Sequence, residues 1–430
     1  MYKDRYDLEL TTHSEKARDA YVAGIDGLLA ATPDPAARLH ESLQEDPGFA
    51  LAHAALARDH QLAGRMKEAR EGIEQAVECV ASATERERQH VEILRLIIFG
   101  QAEDALSLTR RHIQDYPLDA FALAPSCSVF GLIGFSGRTG REEEQRLLLE
   151  PLVDIYGDDW WFHSAWAFAL LEVGEWEKAT ALVQRSLEQS PRNAHAAHTY
   201  AHCLYESGSD ADARAYLEDW LPDHPREGLL HCHLWWHLAL VRLVEGDVDG
   251  MWQAFDDNVS PGATDCPAIN VMSDAAALLW RAELAGQQRS LDRWRKVAAF
   301  KQEAFPKPIV FIDAHGGLPA AALGDAPGVQ EHIDQVLDFA AKGRLPAGTV
   351  AADLTTAFNA YANAEWGKTI ATLEPVMDEV VRIGGSRAQR DLVTCTLLSA
   401  YIKDGRQADA ASLVEAVHDR QPTILGMITA

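Results

Sequence analysis

The sequence predicts an all-α protein, built as a right-handed superhelical solenoid of about ten helical hairpins. Two general observations support this fold class. Apolar residues recur at helical spacing through most of the chain, while alternating strand patterns are weak. The 430 residues also exceed what one compact core usually buries, so we expect either several domains or an elongated array of repeats.

A repeat of 34 residues is the third and most specific observation. Three kinds of residue recur at that distance, in the pairs Gly174 and Gly208, Ala179 and Ala213, and Pro191 and Pro225. Small residues at such positions let neighbouring helices approach closely. The pattern resembles the tetratricopeptide repeat, a helix–turn–helix unit of about 34 residues. Looser copies run towards both ends of the chain, and the last is marked by Gly405, Ala410 and Pro422.

The repeats predict a particular domain organisation. One continuous array is expected over 1–430, with amino-terminal repeats at 1–156, central repeats at 157–325 and carboxyl-terminal repeats at 326–430. A helix–turn–helix is expected across 119–156 within the first of these. Proline and glycine break the helical pattern at 256–272, and a second irregular stretch follows at 304–313, so both are predicted to be long inserted loops. Loops that interrupt a regular array commonly carry function.

Composition and charge narrow the classes of partner. Apolar residues make up 47% of the chain and charged residues 24%, which is ordinary for a folded protein. The net charge of -26 repels phosphate backbones, so we expect no nucleic-acid partner and no attraction to anionic membranes. The amino-terminal stretch has no apolar leader, and no apolar run is long enough to cross a bilayer. With six scattered cysteines, these features predict a cytoplasmic protein with reduced thiols.

Histidines concentrate in the central repeats. In the stretch HAAHTYAHCLYESG, three histidines follow at spacings of three and four, which places them on one face of a helix. Alignment with the tetratricopeptide pattern puts this face in the concave groove, together with polar and aromatic residues of the following repeats. The predicted ligand-binding residues are His198, His202, Tyr205, His233, Trp236, His237, Asp274, Trp280, Asp313 and His315.

Each of these features also has a packing interpretation. The histidines could be neutral imidazoles satisfied by neighbouring helices. The tryptophans could be core aromatics that join one repeat to the next. Asp313 could be a helix N-cap with His315 as its neighbour. The sequence leaves these interpretations open.

The same histidines raise the question of a metal site. Two histidine pairs, His198 with His202 and His233 with His237, have the i, i+4 spacing that can supply nitrogen ligands to zinc. Neither pair has the glutamate of an HExxH motif, and no carboxylate partner is evident nearby in the sequence. The expectation is therefore no metal and no cofactor. The chain also has no phosphate-binding glycine loop and no GxSxG nucleophile motif.

Four blocks in the same order resemble one family, the tetratricopeptide repeat protein 38 family. They are HTYAHCLYESG, HLWWHLALVRLVEGD, SDAAALLWRAELAG and FIDAHG. The resemblance covers most of the chain and implies an all-helical array with a centre marked by His198, His202, His233, His237, Asp274, Trp280, Asp313 and His315. It implies no biochemical activity. After His315 this chain continues with Gly316 and Gly317 instead of longer side chains, which leaves room for a different ligand.

Two classes of function follow from these residues. In the first, the concave groove is a pocket that binds a small molecule or a peptide. In the second, the chain is a hydrolase or lyase in which paired imidazoles and carboxylates perform general acid–base catalysis on a small polar substrate. The catalytic candidates are then His202, His237, Asp313 and His315. The end repeats of such an array can pair, so a homodimer is a further prediction.

Overall fold

The chain is helical almost throughout, which confirms the predicted all-α class. A computed structural model describes residues 2–417, and the statements below concern these residues. A short antiparallel ribbon pairs β1 (Tyr2–Lys3) with β2 (Glu9–Leu10) at the amino terminus. The first twelve helices are α1 (Glu15–Ala30), α2 (Pro35–Glu45), α3 (Ala50–Leu62), α4 (Met66–Cys79), α5 (Glu85–Ile98), α6 (Ala102–Asp115), α7 (Ala120–Leu123), α8 (Arg141–Leu149), α9 (Val153–Tyr156), α10 (Trp160–Glu172), α11 (Trp176–Gln189) and α12 (Ala194–Glu206).

The second half of the chain continues the helical pattern. Its helices are α13 (Asp210–Trp220), α14 (His231–Val244), α15 (Val248–Ala254), α16 (Ala268–Leu284), α17 (Leu291–Ala304), α18 (Val310–Gly316), α19 (Leu318–Leu323), α20 (Ala326–Ala341), α21 (Val350–Ala362), α22 (Trp366–Leu373), α23 (Arg387–Lys403) and α24 (Gln407–Ala416). A π-helical turn, Phe255–Val259, follows α15, and a 3-10 segment, Glu374–Ile383, follows α22.

The glycines that mark the repeats lie where one helix ends and the next begins. Gly64, Gly208, Gly246 and Gly405 all have φ between 68 and 79°. This left-handed conformation ends a helix at little steric cost only when the residue lacks a Cβ atom. Most marker alanines are buried, and Ala213 is 2% exposed. The predicted helix–turn–helix units are therefore present, although the marker Pro422 lies outside the described residues.

The contacts divide the chain into two compact units. Unit 1 consists of the amino terminus to Ile133, Glu142–Val173 and Lys178–Thr199, and unit 2 consists of Gly134–Arg141, Gly174–Glu177 and the chain from Tyr200 onward. Each unit has its own apolar core. That of unit 1 includes Leu94, Phe121 and Phe162, and that of unit 2 includes Trp236, Met272, Trp280, Trp294 and Phe358.

Three stretches differ from their predicted structure. The expected loop at 256–272 is shorter, because helix continues as a π-turn to Val259 and α16 begins directly after Pro267, whose fixed φ suits a helix start. The expected loop at 304–313 covers only 305–309, because α17 extends to Ala304 and α18 begins at Val310. The expected helix–turn–helix at 119–156 has a short first helix and a long turn: α7 is only four residues long, and the turn covers 127–140 before α8 begins, because glycines and Pro125 interrupt the helical pattern.

A buried charge network in unit 1 holds the amino-terminal ribbon. Arg86 donates from Nη2 to the Glu9 carbonyl oxygen at 2.8 Å and from Nη1 to Asp119 Oδ2 at 2.7 Å. The carboxylate of Asp119 also contacts His90 Nδ1 at 2.9 Å and His112 Nε2 at 3.1 Å. Burial raises the pKa of Asp119, but the charges of His90 and Arg86 and the two histidine hydrogen bonds outweigh it and hold that pKa well below its usual value.

None of the helices within residues 2–417 combines the length and the apolar character that crossing a membrane requires.

Candidate ligand-binding site

Three histidine rings meet inside unit 2. Helix α14 presents His233 and His237 one turn apart on the same face, with ring centroids 4.9 Å apart. Helix α12 brings His202 to within 4.4 Å of the His237 ring and 6.4 Å of the His233 ring. All three are at most 3% exposed. His198 precedes His202 by one turn on α12, and one ligand atom from each of His202, His233 and His237 lies within 4.8 Å of the others.

A carboxylate from another helix fixes the orientation of one of these rings. Asp274 lies in the middle of α16 and is 0% exposed. His233 Nδ1 donates to Asp274 Oδ2 at 2.9 Å. The Cys232 thiol lies 3.9 Å from the same oxygen. Because Nδ1 of His233 is engaged with the carboxylate, Nε2 is the ring nitrogen that faces away from it.

Burial makes the other two imidazoles neutral at physiological pH. Desolvation, with a smaller contribution from the charge of His233, lowers the pKa of His202 to about 3. Desolvation also lowers the pKa of His237 well below its usual value, assisted by repulsion from the His202 and His233 rings in their protonated forms and from the charge of Arg281. A neutral imidazole carries one nitrogen lone pair, and this is the form that accepts a hydrogen bond or binds a metal ion.

A buried arginine adjoins the predicted site through its contact with Trp236. Arg281, on α16, is 1% exposed, and its Nη2 donates to the backbone carbonyl oxygens of Ala388 and, at 3.3 Å, Gln389. Its Nε and Nη1 have no hydrogen-bond partner among the described residues. Its charge lowers the pKa of both His237 and His315. We call His202, His233, His237, Asp274 and Arg281 the His–Arg centre.

Trp236 forms one wall of the His–Arg centre. Its indole stacks on His233 at 5.2 Å between ring centroids, and Arg281 lies over its face at 5.3 Å. This is a cation–π arrangement, which partly compensates a desolvated guanidinium. The indole Nε1 is buried and has no hydrogen-bond partner among residues 2–417.

His315 belongs to the same electrostatic neighbourhood. It is 2% exposed, and its Nδ1 contacts the Phe311 carbonyl oxygen at 3.1 Å. Its Nε2 has no hydrogen-bond partner in the described chain. Burial lowers the pKa of His315 to about 4, while the Asp274 charge raises it and the Arg281 charge lowers it.

Two predicted ligand residues already use their polar atoms within the core. The Trp280 Nε1 donates to Thr396 Oγ1 at 3.0 Å, and its ring packs edge-on against Phe358. Tyr205 donates its hydroxyl hydrogen to Asp391 Oδ2 at 3.0 Å. Trp280 therefore has no polar atom left for a ligand, and the Tyr205 hydroxyl retains only acceptor capacity.

Asp313 has an unusual environment for a carboxylate. It is 2% exposed, and its Oδ2 has no hydrogen-bond partner among the described residues. The carbonyl oxygen of Asp313 accepts a hydrogen bond from His332 Nε2 at 2.9 Å. Burial raises the pKa of the Asp313 carboxyl to about 7, against the smaller lowering effects of a hydrogen bond at Ile309 and the charge of Lys301.

This raised pKa predicts a pH-dependent stability. The folded state binds the Asp313 proton more tightly than the unfolded state, so its stabilising contribution is full below about pH 4 and is lost as the pH rises through about 7. Asp313→Asn should therefore be more stable than the wild type at pH 8, with the difference shrinking towards pH 5. Urea unfolding at both pH values measures this. The exposed Asp334→Asn serves as the control, and an Asp313→Asn difference that does not change with pH would contradict the assignment.

Arg281 is a residue of the centre that the sequence did not predict. It follows Trp280 in the block SDAAALLWRAELAG, within a run of residues that are mostly apolar. A lone arginine inside a buried helical face is the signal that was available, because arginine is almost never fully buried without a partner. Gln389 was also missed, and its Nε2 is buried without a hydrogen-bond partner in residues 2–417.

Comparison with known proteins supports the repeat assignment over part of the chain. Residues 170–231 match the family model described as tetratricopeptide repeat. This match includes α12 and the beginning of α14, which carry His202 and His231. It does not address the resemblance to the tetratricopeptide repeat protein 38 family, which stays a prediction.

The solved structures to which this chain is similar are distant in sequence. A human IFIT1 dimer with m7Gppp-AAAA is 11% identical, covering 100% of this chain and 98% of that one, with a TM-score of 0.44. The human IFIT1 dimer with PPP-AAAA is 12% identical, with 96% of both chains covered and a TM-score of 0.41. Naa15/Naa10 bound to HypK-THB gives 12% identity, coverage of 94% and 64%, and a TM-score of 0.22. These ligands and assemblies belong to those proteins.

The expected absence of a nucleic-acid partner rests on net charge alone and stays a prediction, as does the homodimer. The structure and the family match together establish a more general statement than the predicted family and partners. The chain contains a tetratricopeptide repeat over residues 170–231 within a protein that is helical almost throughout its described length.

Proposed function

We propose that this protein is a binding protein of the tetratricopeptide-repeat type whose His–Arg centre holds a small anionic molecule. The observation that carries the proposal is the buried guanidinium of Arg281, with Nε and Nη1 unpaired in the described chain. Moving a charge from water into a protein interior costs on the order of several kcal/mol unless an opposite charge or hydrogen bonds compensate it. An anion at this place supplies both.

The chemistry of the neighbouring atoms supports an acceptor-rich ligand. Arg281 Nε and Nη1 are guanidinium nitrogens, and a guanidinium can donate two parallel hydrogen bonds to a carboxylate or phosphate. Further unpaired donors in the same unit are Trp236 Nε1 and Gln389 Nε2. Arg281 stacks over Trp236 and bonds to the Gln389 carbonyl oxygen, so both residues adjoin it.

A local anion site is compatible with the strongly negative chain. The net charge of -26 is spread over 430 residues, and salt screens exposed charges beyond about 8 Å at physiological ionic strength. A buried positive charge acts in a lower dielectric and is screened much less. Because the net charge is negative, anions do not accumulate at the protein surface. We therefore expect an anionic ligand to enter the site slowly and selectively.

The burial of the centre favours a small molecule over a peptide. His202, His233, His237, Asp274 and Arg281 are each at most 3% exposed. A peptide ligand needs a continuous accessible groove of side chains, whereas a small ligand needs only an enclosed space with a few convergent polar groups.

Native mass spectrometry of untagged protein tests the proposal. We expect a non-covalent mass on the native chain that disappears under denaturing conditions, with occupancy reduced at least about tenfold in Arg281→Met. Citrate and inorganic phosphate, added as probes, should raise the melting temperature of ligand-stripped wild type more than that of Arg281→Met. Arg185→Met, which changes an exposed arginine, is the control. Equal native and denatured masses, with equal probe responses in both variants, would refute the anion site.

An enzyme is the second candidate, and one observation favours it. Asp313 has a pKa of about 7, close to the operating pH of a general acid or base. His202 and His237 suit that role less well, because their strongly lowered pKa values make them weak bases and leave no proton to donate at neutral pH. Turnover of a small ester, amide or hydroxy acid that fails in Asp313→Asn would favour this second function.

A further inference from the structure

We infer that His202, His233 and His237 also form a binding site for a divalent transition-metal ion of the zinc class. The inference goes beyond the proposed anion site and does not depend on it. It differs from the sequence-based expectation of no metal, and the reason is the arrangement of residues that lie far apart in the chain.

The three imidazoles are already close to the geometry that zinc requires. One ligand atom from each lies within 4.8 Å of the others. Zinc–nitrogen bonds of about 2.0–2.1 Å in a tetrahedron separate ligand nitrogens by roughly 3.4 Å. The atoms therefore need to approach by little more than 1 Å, which small ring rotations on fixed helices can supply.

The i, i+4 spacing of His233 and His237 fixes part of this geometry. His233 and His237 project from one face of α14, so the helix itself holds two ligands on the same side. His202 reaches them from α12, with its ring 4.4 Å from that of His237. Two ligands from one helix and a third from a neighbouring helix are a common way of building a site with three histidine ligands.

Asp274 supplies the contact that the sequence did not reveal. Histidines that bind metals usually donate their other ring N–H to a carboxylate or carbonyl oxygen, which fixes the ring and makes it a better ligand. The 2.9 Å contact from His233 Nδ1 to Asp274 Oδ2 has this form, and it directs Nε2 of His233 away from the carboxylate. Asp274 is thus a positioning residue, 41 positions after His233.

The ligand set selects the class of metal. Imidazole nitrogen ligands suit zinc, copper, nickel or iron. Calcium and magnesium prefer oxygen ligands, which three histidines do not provide. An imidazole nitrogen ligand adds no negative charge, so the bound ion keeps its full charge, and three ligands leave one coordination position open. Asp274 opposes part of that charge, and an anion in the open position would oppose more.

The test uses purified, untagged, full-length protein. After removal of metals with EDTA, the chain is titrated with Co²⁺ and Zn²⁺, and bound metal is counted by elemental analysis. We expect one ion per chain and the intense visible bands of four-coordinate Co²⁺, which Zn²⁺ then displaces. Wild-type protein with no bound ion and only the weak spectrum of hydrated Co²⁺ overturns the inference without any variant.

Variants identify the ligands. His202→Ala and His237→Ala should each weaken Co²⁺ binding at least about tenfold and abolish the four-coordinate bands, with folding checked by circular dichroism. Asp274→Asn should keep the bands and weaken binding by about 10–100-fold, as expected for a residue that acts through His233. The control is His53→Ala on α3, an imidazole outside the centre. If every variant binds Co²⁺ as the wild type does, the ion lies elsewhere and the inference fails.

The experiments distinguish a failure of the proposed metal site from a failure of the proposed anion site. A chain that binds the probe anions but no Co²⁺ overturns the metal alone. A chain that binds Co²⁺ but no anion, with equal probe responses in wild type and Arg281→Met, overturns the proposed function alone.

Discussion

Asp119→Ala should lower the free energy of unfolding of unit 1 by about 3–5 kcal/mol. The substitution leaves Arg86 buried without its carboxylate and removes an acceptor that His90 and His112 share. Removing one partner of a buried ion pair is costly because the remaining charge stays in a low dielectric. Guanidinium-induced unfolding, followed by circular dichroism, measures the difference.

The same carboxylate makes a pH-dependent contribution. The pKa of Asp119 lies well below the value in the unfolded chain, so its stabilisation is complete above about pH 5 and is lost as the pH falls through 4 and below. The difference between wild type and Asp119→Ala should therefore shrink in acid. Asp115→Ala, an exposed carboxylate at the end of α6, should change stability by less than about 0.5 kcal/mol. A pH-independent loss, or an equal loss in both variants, would contradict the ion-pair assignment.

Arg281→Met is expected to cost little or no stability in the absence of ligand. The guanidinium has two donors unpaired in the described chain, and replacing buried ionic groups by apolar side chains of similar volume is often neutral or stabilises by about 1–4 kcal/mol. The loss of hydrogen bonds to two backbone carbonyl oxygens subtracts about 1 kcal/mol each, so we expect a net change between a loss of about 1 and a gain of about 2 kcal/mol. The variant thus stays folded and is unable to hold the anion.

Arg86→Met provides the matched comparison. Arg86 is also buried but is bonded to Asp119, so its replacement should destabilise the chain by about 3–5 kcal/mol. Chemical unfolding of ligand-stripped wild type and both variants measures the two changes in stability side by side. A loss of stability in Arg281→Met equal to that in Arg86→Met would show that Arg281 is already compensated, and the anion would no longer be required.

The fold was predictable because its signals are local. Helical spacing of apolar residues identifies helices, and Gly208 and Gly405 mark where they end, since only glycine adopts the left-handed conformation easily there. The boundaries were less predictable. Pro267 was expected to lie inside a loop, yet it immediately precedes α16, because proline breaks the preceding helix and equally well begins the next one.

The candidate site was predictable only in part. The spacing of His233 and His237 is by itself enough to place both residues on one face of a helix. The same kind of spacing also predicted Trp280 as a ligand residue, yet its indole N–H donates to Thr396 within the core. Helical periodicity reports which face of a helix a residue occupies. It does not report which neighbouring helix covers that face.

The sequence by itself determined the helices, their turns and the placement of His233 and His237 on one helix face, because these follow from residue spacing within one repeat. Only the tertiary structure decided that Asp274 reaches His233 and that Arg281 lies buried beside Trp236. Those contacts join residues about 40 or more positions apart, so they depend on how successive helices pack. The electrostatic character of the centre, in which the His202 and His237 imidazoles are neutral, is a consequence of that packing and of the burial it imposes.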